Sequence, residues 1–201
     1  MRIGVYGGAF DPAHSGHLII AGGVLEELDL DRVLFIPYTT GPHRPAGPVA
    51  SAGHRLEMLR LCLGENPEFE IDDREIRRGG ISYMIDTLRS LRSDHPDAEF
   101  FLIVGSDQLK IFAKWKGWRT ILELAVVAVI ERPGHSLTDG PEELLQIMVT
   151  ISIPPQSLSS TLVRDRIEGG DDIRQLVPEP VVRYIQEHGL YGFPRHEPSK
   201  D

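Results

Sequence analysis

Residues 3–17 read IGVYGGAFDPAHSGH. Residues 3–6 have the length and apolar content of a buried strand, and glycines and Pro12 interrupt that pattern directly afterwards. The apolar period of a helix begins at His17. This stretch therefore predicts a strand that runs through a glycine-rich loop into a helix N-terminus, where unsatisfied N–H groups and a partial positive charge favour a bound phosphate.

Outward from this stretch, short apolar runs alternate with segments of helical period. Strands are predicted at residues 3–6, 33–37, 100–104, 126–130 and 149–153, and helices at residues 17–28, 52–63, 83–91, 109–124, 142–147, 160–168 and 180–188. The strands are continuously apolar, so the pattern predicts a Rossmann-like α/β fold: a parallel sheet with helices on both faces, then a small C-terminal helical segment. Ligands of such sheets bind beyond the carboxyl ends of the strands, where Gly8 and Gly105 lie.

Composition restricts the class of protein. The 201 residues suit one domain over residues 1–192 followed by a polar tail at 193–201, and the net charge of -9 argues against a nucleic-acid partner. The apolar run 124–130 is far shorter than a membrane span, and no secretory signal is expected at residues 1–8. The one cysteine, Cys62, lies in an apolar-patterned segment and is interpreted as a core residue of a cytoplasmic protein.

Two groups of residues carry phosphate chemistry. The first is His14-x-Gly16-His17, in which two imidazoles lie beside a helix start and the glycine permits close approach of the backbone. The second is the run Ser159-Ser160-Thr161 with Arg164 one helical turn later. Its hydroxyl groups can cap the helix or donate to phosphate oxygens, and the guanidinium can reach the same anion. The Gly- and Pro-rich segment 39–53 is predicted to form a mobile active-site loop.

The pattern Gly8-x-Phe10-Asp11-Pro12-x-His14-x-Gly16-His17 resembles the HxGH signature of the nucleotidyltransferase superfamily. Further segments, taken in order and spacing, resemble bacterial nicotinate-nucleotide adenylyltransferases over residues 1–192: they are 77–88, 105–107, 112–118 and 132–134. The resemblance implies the HxGH nucleotidyltransferase fold and transfer of the adenylyl group of ATP to nicotinate mononucleotide, which gives deamido-NAD and pyrophosphate. It implies that Mg²⁺ arrives with ATP, since no cluster in the sequence has the spacing of a dedicated metal site.

The resemblance also implies which residues form the site. Catalytic roles fall on His14, His17 and Arg164. The expected ATP-binding residues are Gly8, Ala9, Phe10, Gly16, Arg44, Gly105, Ser160 and Thr161. The expected pyridine-nucleotide-binding residues are Tyr83, Met84, Asp107, Trp115 and Lys116. In this interpretation Trp115 stacks on the pyridine ring, and backbone N–H groups near Met84 and Lys116 bind the nicotinate carboxylate. Taken singly, Trp115 and Trp118 are typical of core residues and Asp107 of a helix N-cap.

Three positions depart from the family pattern and leave alternatives open. Ala9 and Met84 stand where threonine is usual, and Lys116 replaces a frequent tyrosine and could add a cation near the carboxylate. Preference for nicotinate over nicotinamide mononucleotide is favoured by that charge, and oligomeric state is left open. The alternatives are a different acceptor, such as nicotinamide mononucleotide or phosphopantetheine, and a non-catalytic nucleotide sensor on the same fold.

Overall fold

The computed structural model describes residues 1–42, 46–154 and 158–193. In these ranges six strands form one parallel sheet, in the spatial order β3-β2-β1-β4-β5-β6. Its strands are β1 (Arg2–Gly8), β2 (Arg32–Pro37), β3 (Phe69–Ile71), β4 (Glu99–Gly105), β5 (Val126–Ile130) and β6 (Val149–Ile151). The predicted parallel sheet with helices on both faces is confirmed.

Helices cover both faces of this sheet. They are α1 (Ser15–Glu27), α2 (Ala52–Leu63), α3 (Arg74–Arg78), α4 (Met84–Asp94), α5 (Leu109–Phe112), α6 (Trp118–Leu124), α7 (Glu142–Leu145), α8 (Ser160–Glu168) and α9 (Glu179–His188). Short 3₁₀ turns follow β4 at Ser106–Gln108 and α9 at Leu190–Gly192. One apolar cluster joins the sheet to α1, α2, α8 and α9, and a second joins it to α4, α5, α6 and α7.

The side chains of β1 alternate between the two apolar clusters, so this one strand contributes to both. Ile3 and Val5 belong to the second cluster, whereas Tyr6 belongs to the first. Successive side chains of a strand point to opposite faces of the sheet, so a strand buried on both faces must be apolar throughout. Cys62 is a buried free thiol of the first cluster, as the sequence predicted.

Several elements differ from the sequence predictions, and the short helix α3 was not predicted. The strand β3 was missed, because its three residues are half-exposed or exposed and include the acidic Glu70, so no apolar run marks it. The single helix predicted at 109–124 is two helices, α5 and α6, which are interrupted where Gly117 takes the left-handed φ of +63°. The strand predicted at 149–153 ends at Ile151, and the helix predicted at 142–147 ends at Leu145.

Among the described residues, no helix combines the length and apolar character that crossing a bilayer requires.

Candidate active site

A cavity of about 380 Å³ opens where the carboxyl ends of β1 and β4 meet the starts of α1, α4 and α8. Strands of this sheet are parallel, so their carboxyl ends share one edge and their loops converge there. Fourteen of the sixteen predicted site residues line the cavity: Gly8, Ala9, Phe10, His14, His17, Tyr83, Met84, Gly105, Asp107, Trp115, Lys116, Ser160, Thr161 and Arg164. Gly16 and Arg44 are the remaining two, and Arg44 lies outside the described residues.

The loop after β1 is held by its own phenylalanine. Phe10 takes a left-handed φ of +49° and is 1% exposed. Its ring packs against Tyr6, His17 and Phe35 at centroid distances of 5.0–5.8 Å. A Cβ on Gly8 would lie 2.9 Å from that ring, so glycine is needed where the ring folds back over the loop. The side chain of Phe10 therefore shapes the loop from the core side, and its backbone is what the loop offers to a ligand.

His14 and His17 form a stacked pair at the start of α1. Their ring centroids are 3.7 Å apart with an interplanar angle of 29°. The backbone N–H of His14 donates to Nδ1 of His17 at 3.1 Å, so the neutral ring of His17 carries its proton on Nε2. Nδ1 of His14 is buried and has no hydrogen-bond partner within the described ranges. The pair thus offers ring N–H groups beside a helix N-terminus, an arrangement suited to phosphate oxygens.

Gly16 serves this pair rather than lining the cavity. A Cβ at Gly16 would lie 3.0 Å from Nδ1 of His14 and equally close to the side chain of Leu158. The structure thus gives a second reason for glycine here, since a larger residue would press on the His14 ring, and the predicted role of Gly16 in ATP binding stays a prediction.

Burial and a nearby arginine keep both rings neutral in the free protein. Burial and, secondly, the Arg132 guanidinium lower the pKa of His14 to about 4. Burial, His14 and Arg132 together hold the pKa of His17 well below its ordinary value. An arriving triphosphate opposes these effects, since its negative charge favours the protonated imidazole.

We expect the pKa of His14 to make the free energy of unfolding depend on pH. The unfolded ring binds a proton below pH 6.5, whereas the folded ring binds one only near pH 4. The contribution of neutral His14 to the free energy of unfolding is therefore fully present above pH 6.5 and is lost as the pH falls from 6.5 to 4. The loss at pH 4 amounts to ~3 kcal/mol from His14. Urea unfolding at pH 7 and pH 4 measures it.

The matched variants for this measurement are His14→Gln and His188→Gln, the latter at an exposed position of α9. We expect the difference between the two pH values to shrink in His14→Gln and to persist in His188→Gln. An unchanged difference in His14→Gln would show that the pH dependence arises elsewhere.

The start of α8 is fastened to the same loop. Nη1 of Arg164 donates to the carbonyl of Asp11 at 2.6 Å, and Nη2 donates to the hydroxyl of Thr161 at 3.2 Å. Ser160 donates its hydroxyl to the carbonyl of Pro12 at 2.9 Å, while Ser159 caps the helix by accepting from the N–H of Leu162. The structure thus brings Arg164 and the first turn of α8 beside the histidines, as the sequence predicted.

Aromatic and basic residues form the opposite end of the cavity. Trp115 stacks on Phe112 with a centroid distance of 5.0 Å and an angle of 27°, and its indole nitrogen is buried without a partner in the described part of the chain. The N–H groups of Met84 and Ile85 lie in the first turn of α4, which is rich in unsatisfied donors. The methyl group of Met84 lies 2.8 Å from where a Cβ on Gly7 would be, so its side chain covers the end of β1.

Lys116 lines the cavity but is already paired. Its ammonium lies 3.2 Å from a carboxylate oxygen of Asp86 and 4.5 Å from the centroid of the Tyr83 ring. The predicted free cation near a substrate carboxylate is therefore partly neutralised by Asp86, a partner that lies thirty positions away and that the pattern did not single out.

Asp107 and Arg132, which both line the cavity, form an ion pair with Nε of Arg132 3.2 Å from Oδ1 of Asp107. A Cβ on Gly105 would lie 2.3 Å from that oxygen and 2.5 Å from Nε, so glycine at the end of β4 makes the pair possible. Arg132 was absent from the predicted site residues, although the segment 132–134 carried part of the resemblance. That segment was the signal that could have found it.

Other lining residues gave no usable signal. Glu75 is 3% exposed, and burial raises the pKa of its carboxyl group, which accepts from the hydroxyl of Thr87. Tyr6 lies under His17, and burial raises the pKa of its phenol to about 12. A tyrosine in an apolar strand is usually a core residue, and a glutamate in a charged segment is usually a surface residue. The sequence alone therefore did not identify Tyr6 and Glu75 as residues of the cavity. No group of three or more His, Cys, Asp or Glu side chains is placed to hold a metal ion in the described ranges.

Comparisons with known proteins agree on one family. A family model described as Cytidylyltransferase-like matches residues 5–166. A protein of Geobacillus thermodenitrificans described as a probable nicotinate-nucleotide adenylyltransferase is 40% identical over 191 residues, which are 95% of this chain and 86% of that protein. One of Symbiobacterium thermophilum with the same description is 40% identical over 197 residues, covering 94% and 95%.

Solved structures show the same fold. The nicotinic acid mononucleotide adenylyltransferase of Plasmodium falciparum complexed with NaAD superposes with a TM-score of 0.81 at 20% identity, covering 96% of this chain and 98% of that one. A structure of the same protein complexed with APC gives a TM-score of 0.79.

Proposed function

The chain belongs to the nicotinate-nucleotide adenylyltransferases, within the cytidylyltransferase-like family, and from this membership we propose how its cavity transfers the adenylyl group of ATP to nicotinate mononucleotide. The observation that supports the assignment of roles is the arrangement of one cavity. The histidine pair and Arg164 lie at one end of it, and Trp115 with the start of α4 at the other. Each end fits one substrate, and the reacting phosphates meet between them.

ATP binds at the histidine end in this proposal. The starts of α1 and α8 supply backbone donors and partial positive charge, and Arg164 supplies a fixed guanidinium. Residues 41, 42 and 47–49 line the same cavity, and in this proposal these residues cover the triphosphate. Closure by Arg44 stays a prediction. Mg²⁺ enters with the phosphates as MgATP, since phosphate oxygens are ligands that Mg²⁺ prefers.

Nicotinate mononucleotide binds at the Trp115 end. Phe112 covers one face of the indole, which leaves the other face to stack on a planar pyridine ring. The N–H groups in the first turn of α4 face a carboxylate better than an amide, because an amide would bring its own donor against them. Because Asp86 partly neutralises the charge of Lys116, these backbone donors account for most of the preference for nicotinate over nicotinamide.

The reaction is an in-line displacement at the α-phosphorus of ATP. A phosphate oxygen of nicotinate mononucleotide forms the new P–O bond, the bond between the α-phosphorus and the bridging oxygen breaks, and pyrophosphate leaves with that electron pair. The nucleophile is already an anion, so no general base is required, and catalysis rests on positioning and on stabilising charge. His14 and His17 donate to the oxygens of the α- and β-phosphates, and Arg164 holds the departing pyrophosphate.

Pyrophosphate release with MgATP tests this assignment directly. We expect kcat/KM to be at least tenfold higher with nicotinate mononucleotide than with nicotinamide mononucleotide, and no release with phosphopantetheine. Equal rates with the two mononucleotides would contradict recognition of the acid by the α4 donors. Binding of ATP and a mononucleotide without pyrophosphate release would instead identify a sensor. A cytoplasmic location stays a prediction.

A further inference from the structure

Asp11 lies at the edge of the active-site cavity, and its buried carboxylate is bound by groups of the protein itself. It is 3% exposed, and both of its oxygens accept hydrogen bonds from the protein. Oδ2 accepts from the N–H of Val49 at 2.6 Å, and Oδ1 accepts from the N–H of Ala50 at 3.1 Å and from the phenol of Tyr191 at 2.7 Å. One carboxylate thus joins three separate parts of the chain: the loop after β1, the end of the 46–50 segment, and the turn after α9.

In the proposed function the 46–50 segment covers the triphosphate end of the cavity. Asp11 binds the C-terminal end of this segment, at Val49 and Ala50. Gly47, Pro48 and Val49 line the cavity, and Ala50 is held on both sides. Its N–H donates to Asp11, and its carbonyl accepts from Nε of Arg55 at 3.2 Å. The position of the loop over the cavity therefore depends on where the Asp11 carboxylate lies.

Asp11 also sets the position of Arg164. The backbone carbonyl of Asp11 accepts from Nη1 of Arg164, the cation assigned to the departing pyrophosphate. A shift of Asp11 would move the covering loop and Arg164 together, and both belong to the ATP end of the cavity. The Trp115 end contains none of these contacts.

Tyr191 is the contact that comes from farthest along the chain. It lies in the 3₁₀ turn Leu190–Gly192 and takes a left-handed φ of +57°, a conformation that is unfavourable for a large side chain. That turn directs the phenol inward, between Asp11 and the sulfur of Met58, 3.9 Å away. Burial and the neighbouring carboxylate raise the pKa of the phenol, so it stays a donor.

We propose that Tyr191 is a positioning residue for adenylyl transfer: by donating to Asp11 it fixes both the covering loop at 46–50 and Arg164 around the triphosphate. The inference rests on the proposed function of the cavity and extends it to a residue of the C-terminal turn that touches neither substrate. If the inference is right, loss of the Tyr191 hydroxyl affects the binding of ATP and not that of nicotinate mononucleotide.

The variant Tyr191→Phe tests the proposal, since it removes one oxygen and keeps the ring. We expect KM for ATP to rise fivefold to tenfold and kcat to fall as Arg164 loses its place at the departing pyrophosphate, with KM for nicotinate mononucleotide within twofold of the original protein. Hydrogen exchange followed by mass spectrometry gives a second readout. Amides in a peptide covering residues 46–54 should exchange at least fivefold faster, and amides of β4 should be unchanged.

Tyr184→Phe is the matched control. Tyr184 belongs to α9, and its phenol is paired with His54 at 2.9 Å, outside the cavity. We expect both of its KM values and its exchange at 46–54 to equal those of the original protein. A normal KM for ATP in Tyr191→Phe, or equal rises for both substrates, would overturn the inference. If the original protein releases no pyrophosphate from ATP and nicotinate mononucleotide, the proposed function itself fails.

Discussion

Replacing His17 by alanine is expected to lower kcat for pyrophosphate release about 100-fold, since loss of one donor to a transition-state oxygen costs about 3 kcal/mol. The ring carries its proton on Nε2, because Nδ1 accepts from the N–H of His14. That proton is thus available to a phosphate oxygen whose charge grows as the bond to pyrophosphate breaks. KM for ATP should change less than threefold, because the interaction is strongest in the transition state. Steady-state kinetics with MgATP and nicotinate mononucleotide measure both constants.

His17→Asn separates catalysis from folding. The asparagine carbonyl can still accept from the N–H of His14, so the start of α1 keeps its cap, but no donor reaches as far as Nε2. We expect His17→Asn to be more stable than His17→Ala and equally slow. Recovery of kcat in His17→Asn would mean that His17 acts through the helix cap alone.

Replacing Arg55 by methionine is expected to lower the free energy of unfolding by about 3–5 kcal/mol, because it leaves the buried Asp11 carboxylate without a nearby positive charge and two carbonyls without their donor. Arg55 is 1% exposed and donates to the carbonyls of Ala9 and Ala50 at 2.6 Å and 3.2 Å. It also supplies positive charge beside the Asp11 carboxylate, which is equally buried. For a chain of this size the melting temperature should fall by roughly 10 °C, measured by calorimetry.

Arg60→Met is the control on the same helix. Its side chain is 60% exposed and pairs with Glu57 on the surface, so we expect a loss below about 1 kcal/mol. Arg55→Lys keeps the charge but not the two fixed donors, and should lie between the other variants. A loss in Arg55→Met as small as in Arg60→Met would contradict the role of Arg55 as the buried charge that balances Asp11.

Much of the site could be read from the sequence because it depends on local order. Glycines, a proline and two histidines at fixed spacing define the strand, loop and helix start of residues 2–17 within one short segment. The hydroxyl run before α8 likewise places a cap and Arg164 by helical spacing alone. Such features need no knowledge of the rest of the chain.

Contacts between distant residues could not be read in this way. Arg132 and Asp107 lie on neighbouring strand ends, and the pairing of Lys116 with Asp86 spans two separate segments. Tyr191 reaches Asp11 across 180 positions. Each of these residues has an ordinary local context, so its partner follows only from the order in which strands pair and helices pack.

The sequence by itself determined the strand-loop-helix start, the two phosphate-binding groups and the alternation that produces a parallel sheet. Periodicity and turn residues act over a few positions, and these features are encoded there. The tertiary structure decided the edge position of β3, the break of the predicted 109–124 helix at Gly117, the hydrogen bond from Tyr191 to Asp11 and the placement of the Arg55 charge near that carboxylate. These outcomes depend on burial and on charge pairing between remote segments, whose energies exist only once the sheet has assembled.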